Sequence, residues 1–455
     1  MKNLFYIVLI ILFFYTLNIY DGSKTIYTSF TLIYFILFYV ALLKPISYSY
    51  LYLGVFLFLG MWLKLTLHTI LQYAYVEPVG MFYVHETSMD SVLLISMIGA
   101  IGVLASYIMF KYLKIKPTIY LKENSITTKP YLYQIYSNYK MWFLIAILVS
   151  SIILCYINII YEIQLSGIVP KTILIYPFNA IISWVIGVGF SILMIVLISM
   201  DIKYQNRVDM RSLYVLVLIS AITSIGILSR GQYVFILGSV IVFLIFNYKY
   251  IKNINFFKLI IFVLVALFIY LFVIDSVTVL RNYFFSGASL SGASLSGAFL
   301  KIMHLGVDRW IGLEGIMSVE AYEHKSFKLF FDALFVKPKI GAIDIYQYIS
   351  NAHYKDMDNT KFAFATIPGA IAFLYYSGSY IFVFVGMFVL TSFMLLLEYL
   401  VYNWYKSALL ASFLGIYFAN IVAQFGLSPV NILKSMFFTF SFLIIVKLLK
   451  IKKVS

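Results

Sequence analysis

Residues 226–237 read GILSRGQYVFIL, a lone arginine between two apolar runs. The runs extend outward as Leu213–Leu228 and Gln232–Phe246. Each approaches the length of a helix that crosses a bilayer core, so the arginine stands in a tight turn between two membrane spans. From that hairpin, similar runs recur almost end to end. The chain has 455 residues, of which 63% are hydrophobic and 11% charged. A soluble domain carries about a quarter charged residues. The sequence therefore predicts an all-α polytopic integral membrane protein.

About twelve spans are expected, near residues 4–20, 27–43, 51–73, 91–110, 141–161, 177–200, 213–228, 232–247, 259–275, 379–397, 407–423 and 431–449. The apolar stretch at 2–20 is long and has no small-residue cleavage site, so it reads as the first span rather than a signal peptide. An even count puts both termini on one side. The loops of that side hold most of the lysines, among them Lys44, Lys111, Lys114, Lys116, Lys203, Lys252 and Lys406. The short loops and span ends opposite hold only Lys24, Lys171, Arg230 and Lys434, and the large loop on that side carries basic and acidic residues in near balance. The positive-inside rule then predicts cytoplasmic termini and an outward-facing Arg230. Three regions follow: 1–275 with nine spans, 276–365 as one large outer loop, and 366–455 with three spans. The aromatic residues of the loop, Trp310, Phe330, Phe331 and Phe335, predict an ordered helical cap. Its opening, SGASLSGASLSGAF (286–299), repeats a five-residue unit and reads as a flexible linker.

Several function classes fall away. The net charge of +15 suits lysine-rich loops of a membrane protein, and no basic stretch accompanies a soluble fold, so nucleic acid is not an expected partner. One cysteine, Cys155, makes neither an internal disulfide nor a zinc cluster. No Walker A, GxGxxG or HExxH pattern occurs, so no cofactor or metal is expected. Glu320 and His324 in EAYEH are four apart and would share a helix face, a weak metal signal.

Three arginines face the loop side: Arg230, Arg281 and Arg309. Gly231 permits a tight turn, and the start of the next helix adds unpaired N–H groups, so Arg230 is a candidate anion site. A snorkelling anchor is the plainer reading of the same arginine. Guanidinium groups bind phosphate in a forked geometry, and three of them suggest a diphosphate. Candidates for a general base are His353 and Asp308, then His304 and Glu314. Lys64 and His68 lie four apart in the third span, a functional pair or one packed against Glu77 or another span.

On these residues a resemblance appears. LSRGQYVFIL (228–237) resembles the SRG turn between two spans of bacterial O-antigen polymerases and the related ligases. ATIPGAIAFLYYSGSYIFVFVGMFVL (365–390) resembles the segment that follows the large loop in the polymerases. The layout of spans agrees as well. The resemblance implies a glycosyltransferase of the integral-membrane C type (GT-C-like) in the bacterial inner membrane. It would polymerise oligosaccharide repeat units carried on undecaprenyl diphosphate, at the periplasmic face, with membrane lipids and a chain-length regulator as further partners. Arg230 matches the arginine of the motif, whereas Arg281 and Arg309 match only in kind. His353 occupies the region of a ligase histidine, with tyrosine in place of the usual asparagine after it. The alternatives are a ligase and, from another class, a flippase of lipid-linked oligosaccharides.

Overall fold

The protein is described by a computed structural model, covering residues 2–121, 131–175, 177–285, 307–308, 310, 312–336, 345–352, 360–363, 367–426 and 429–451. Among these, nine helices are long and apolar enough to cross a membrane. Three more apolar helices, Tyr6–Ile19, Met210–Gly226 and Ala408–Ala423, are shorter. Every expected span falls on one of these twelve helices, and the chain is a multi-pass, membrane-embedded helical protein. Their outward faces are apolar, as on Phe256–Phe284, where Leu264, Phe268, Leu271 and Phe272 are exposed. That same helix runs to Phe284, so it takes in Arg281 and moves the start of the large loop beyond the expected residue 276.

The inner helices approach closely because small residues line their contacts. A methyl group on Gly102 of Met89–Tyr112 would lie 2.6 Å from the Phe384 carbonyl oxygen of Tyr380–Tyr405. Ser106 and Phe388 extend that seam, the serine hydroxyl donating to the carbonyl at 2.8 Å. Gly415 allows Ala408–Ala423 to reach Tyr48 and Ser49 in the same way. At that point the fully buried Glu398 caps the helix beginning at Tyr48. It accepts from the Tyr48 amide at 3.0 Å, from the Ser49 amide at 2.6 Å, and from the Thr118 hydroxyl. A carboxylate has acceptors alone to offer, which matches four converging donors when the Ser49 hydroxyl is included.

With the three shorter helices counted, successive apolar helices alternate in direction, which gives the bundle two faces. One, the loop face, holds the turns around residues 72–88, 161–175 and 226–230 and the described part of the large loop. That part contains short helices at Leu313–Glu320, Phe327–Phe335, Ile345–Ile349 and Ala370–Tyr375. A two-residue antiparallel pairing joins Gly167–Ile168 to Phe362–Ala363. The SGASL repeat lies outside the described residues.

The two faces predict a labelling pattern. Lys328 is exposed on the loop face and Lys252 on the other, while the native Cys155 is buried. Lys328→Cys should react with an impermeant thiol reagent in right-side-out vesicles, and Lys252→Cys in inside-out vesicles. Labelling of both from one side would break the two-face arrangement, and exchange of the two sides would reverse the orientation read from the lysines.

Candidate functional site on the loop face

The third of the twelve apolar helices, Tyr48–Leu71, is interrupted by a π turn at Phe58–Leu63. Such a turn widens the helix and turns carbonyls outward. The large loop docks against it. Gly312 lies so close that a methyl group there would sit 1.8 Å from the Gly60 carbonyl oxygen. A glycine inside a helix costs roughly 1 kcal/mol relative to alanine, so Gly60 is placed for this approach and not for helix stability. The helix Leu313–Glu320 then enters the bundle with every residue from Leu313 to Val319 buried. Gly315 allows the same intimacy with the Pro-Gly turn, where a methyl group would lie 1.9 Å from the Pro368 carbonyl oxygen. Gly369 has φ +80°, a conformation that glycine adopts without strain.

Directly after the π turn stands Lys64, fully buried. Its ammonium group has three protons, and all are used. It donates to the Asp308 carbonyl at 3.0 Å, to the Trp310 carbonyl at 2.5 Å and to the Glu314 carboxylate at 2.7 Å. One turn later, His68 Nε2 lies 2.9 Å from Asp308 Oδ1, and its Nδ1 lies 3.0 Å from the Tyr73 carbonyl. A carbonyl accepts only, so Nδ1 carries a proton. One further proton lies between Nε2 and Oδ1. The Tyr73 hydroxyl also donates to Asp308, at 3.2 Å. Burial, and then the negative charge of Asp308, push the Tyr73 hydroxyl above its usual range, so it remains a donor. The rings of Tyr73 and Tyr75 lie 4.0 and 4.1 Å from the His68 ring and close the cluster.

Lys64 and His68 thus meet Asp308 and Glu314 of the loop, and neither Glu77 nor another span supplies the carboxylates. Lys64 lies seven residues before the helix end, so the loop reaches roughly 10 Å down along the bundle to meet it. This cluster holds the loop in place. Both carboxylates are buried, Asp308 held at Oδ1 by His68 and Glu314 at Oε1 by Lys64. Trp310 extends the contact by stacking on Phe56 at 4.7 Å and meeting Phe235 edge-on at 6.4 Å.

Phe235 belongs to the helix Arg230–Asn247, whose first residue is the arginine of the hairpin. The helix begins where the tight turn predicted it. Its N-cap, Ser229, makes no side-chain cap, which leaves the first-turn N–H groups to other partners. Arg230 is half-buried and donates to the Thr278 hydroxyl at 2.7 Å. Arg281 clamps the Leu228 carbonyl oxygen through Nε at 3.0 Å and a terminal nitrogen at 2.7 Å. Leu228 has φ +57°, a strained conformation for a bulky residue that persists only where its surroundings impose it. Here the Arg281 clamp is joined by an apolar knot of Leu165, Ile168, Leu228 and Phe285. Phe362 packs on the same knot, so the end of the large loop is fixed beside the arginine turn. The structure brings Arg230 and Arg281 together.

A second π turn, Val185–Gly189, faces this corner. Gln232 donates to its Ile186 and Gly187 carbonyls, both at 3.1 Å. Sequence reading missed Gln232 and both π turns; glycines inside apolar runs, Gly60, Gly187 and Gly189, were the available signal. Two further expectations fail or fall elsewhere. The helix ends at Glu320, so His324 lies beyond it and shares no helix face with Glu320; Glu320 pairs with Lys325 instead, at 3.4 Å. Among the described residues no three His, Cys, Asp or Glu side chains are grouped to hold a metal. His304, Arg309 and His353 lie outside the described residues.

Compared with protein-family models, curated proteins and solved structures, the chain matches none.

The buried pair predicts non-additive mutations. Lys64→Met leaves Glu314 charged and uncompensated, at a cost of about 3–5 kcal/mol. Adding Glu314→Leu should restore part of that loss in melting of the detergent-purified protein. Strictly additive losses would mean that the two side chains do not depend on each other.

Proposed function

We propose that this protein polymerises oligosaccharide units linked to a lipid diphosphate, working on its loop face. The observation that carries the reading is the arginine corner. Arg230 opens a helix that takes no cap from the Ser229 side chain, Arg281 is locked beside it, and the described end of the loop packs against this turn. Guanidinium and helix N-terminus together suit a phosphate anion. Neutralising a departing diphosphate there would lower the barrier to glycosyl transfer.

The proposed step begins with a hydroxyl of the incoming unit. Its oxygen forms a bond to the anomeric carbon of the bound chain, and the bond from that carbon to the diphosphate oxygen breaks. Undecaprenyl diphosphate leaves with the electron pair. The hydroxyl proton passes to a base, for which His353 is the first candidate and His304 the second. Asp308, Glu314, Lys64 and His68 are positioning residues, since they hold the loop against the third helix. Arg309 remains a third candidate for the diphosphate. A chain-length regulator as partner belongs to this proposal too.

Buried ionisable residues also occur in proton-coupled transporters, which supports a flippase as the rival. Here both carboxylates come from one loop segment clamped on one helix, an arrangement that suits an anchor better than a moving relay. A ligase shares the SRG turn and differs in what its loss leaves behind.

The test is genetic. A strain lacking this protein should display single repeat units and no ladder in gels of surface glycan. Arg230→Lys keeps the charge but loses the fork, so it should fail to restore the ladder while reaching the membrane at normal levels. A complete absence of displayed units would favour the flippase. Long lipid-linked chains that stay undisplayed would favour the ligase. Full restoration by Arg230→Lys would reduce Arg230 to an anchor.

A further inference from the structure

On the face opposite the large loop, three lysines converge from three helices. Lys203, from the last turn of Phe178–Gln205, donates to the Tyr405 carbonyl at 3.2 Å. Lys406 follows that residue and donates to Asn403 Oδ1 at 2.9 Å. Lys447 stands over the Trp404 ring at 5.6 Å, and its helix is joined to Tyr405 by a bond from that hydroxyl to the Leu443 carbonyl. Both Lys406 and Lys447 lie close enough to Lys203 for their charges to oppose its own.

The acids of this face are already engaged among the described residues. Asp201 and Asp209 pair with Lys140, at 2.5 and 3.0 Å. Glu398 is taken by the helix start at Tyr48. The helix ends offer some compensation, about −0.5 charge each at three C-termini. Against three ammonium groups that leaves roughly +1.5, enough to attract one or two negative charges.

The surroundings show what kind of anion fits. Phe393, Leu396, Leu400 and Trp404 form one exposed stripe along Tyr380–Tyr405. Ile444 and Leu448 are exposed on the helix that carries Lys447. An apolar wall thus runs up to the lysines, with Trp404 at its edge, where an amphipathic ring sits at the headgroup level of a bilayer. The geometry points to a binding site for the phosphate of an anionic phospholipid, such as phosphatidylglycerol, held by Lys203, Lys406 and Lys447 with its acyl chains along this wall. A small free anion would use the lysines but gain nothing from the apolar stripe.

The full-length protein in neutral detergent tests this. Melting is followed with added phosphatidylglycerol, phosphatidylcholine or inorganic phosphate. Phosphatidylglycerol should raise the midpoint, and the other two should leave it in place. The triple variant K203Q/K406Q/K447Q should need about a hundredfold more phosphatidylglycerol for the same rise, and K447Q alone about fivefold more. The control K111Q/K114Q/K252Q removes the same charge from exposed positions on the same face and should respond like the wild type. Equal effects of the two lipids would overturn the proposal, as would equal losses in both triple variants. A rise with phosphate matching that with phosphatidylglycerol would make this a free-anion site. Should the triple variant fail to fold, a wild-type response of K447Q would overturn it.

Discussion

A buried lysine inside a membrane helix governs how the loop face of this protein is built. An unpaired lysine at membrane depth costs about 2.5–3.5 kcal/mol even on the mildest scale. Lys64 avoids that cost by donating all three of its protons to a loop that has to descend to meet it. The descent explains the glycines. Gly312 faces Gly60 and Gly315 faces Pro368 with no room for a methyl group at either place. It also explains why a helix of only eight residues, Leu313–Glu320, is buried almost throughout.

The anchored loop and the arginine corner form one connected surface. Trp310, positioned by the bond from Lys64 to its carbonyl, touches Phe235 on the helix that Arg230 begins. Phe362, at the other end of the loop, packs against the knot around the strained Leu228. Both π turns of the long helices open toward this region, one receiving Gly312 and the other Gln232. Irregular turns and a left-handed leucine are unfavourable by themselves. Their concentration around two arginines is the physical ground for placing function here.

The helices were legible in the sequence because hydrophobic length is a strong signal in a membrane protein. The hairpin around Arg230 was legible too, since a charge between two apolar runs has few places to go. Pairing across long separations was not. Lys64 and Glu314 are 250 positions apart, and nothing local in either segment names the other. Asp308 and Glu314 read as acids of an outer loop, and nothing in the sequence shows that they descend to meet His68 and Lys64. The helix end after Glu320 was hidden for a related reason, because EAYEH has no glycine or proline to mark it.

The most direct measurement of the central claim uses purified protein in detergent with purified lipid-linked repeat units. The diphosphate linkage supplies the driving force, so elongation should proceed without ATP, and release of the lipid diphosphate should match each bond formed. Detergent removes sidedness, so a flippase has no such activity to offer. Elongation that stops with Arg230→Ala in a folded protein is the predicted result. An intact preparation that leaves its cognate units unextended would contradict the account.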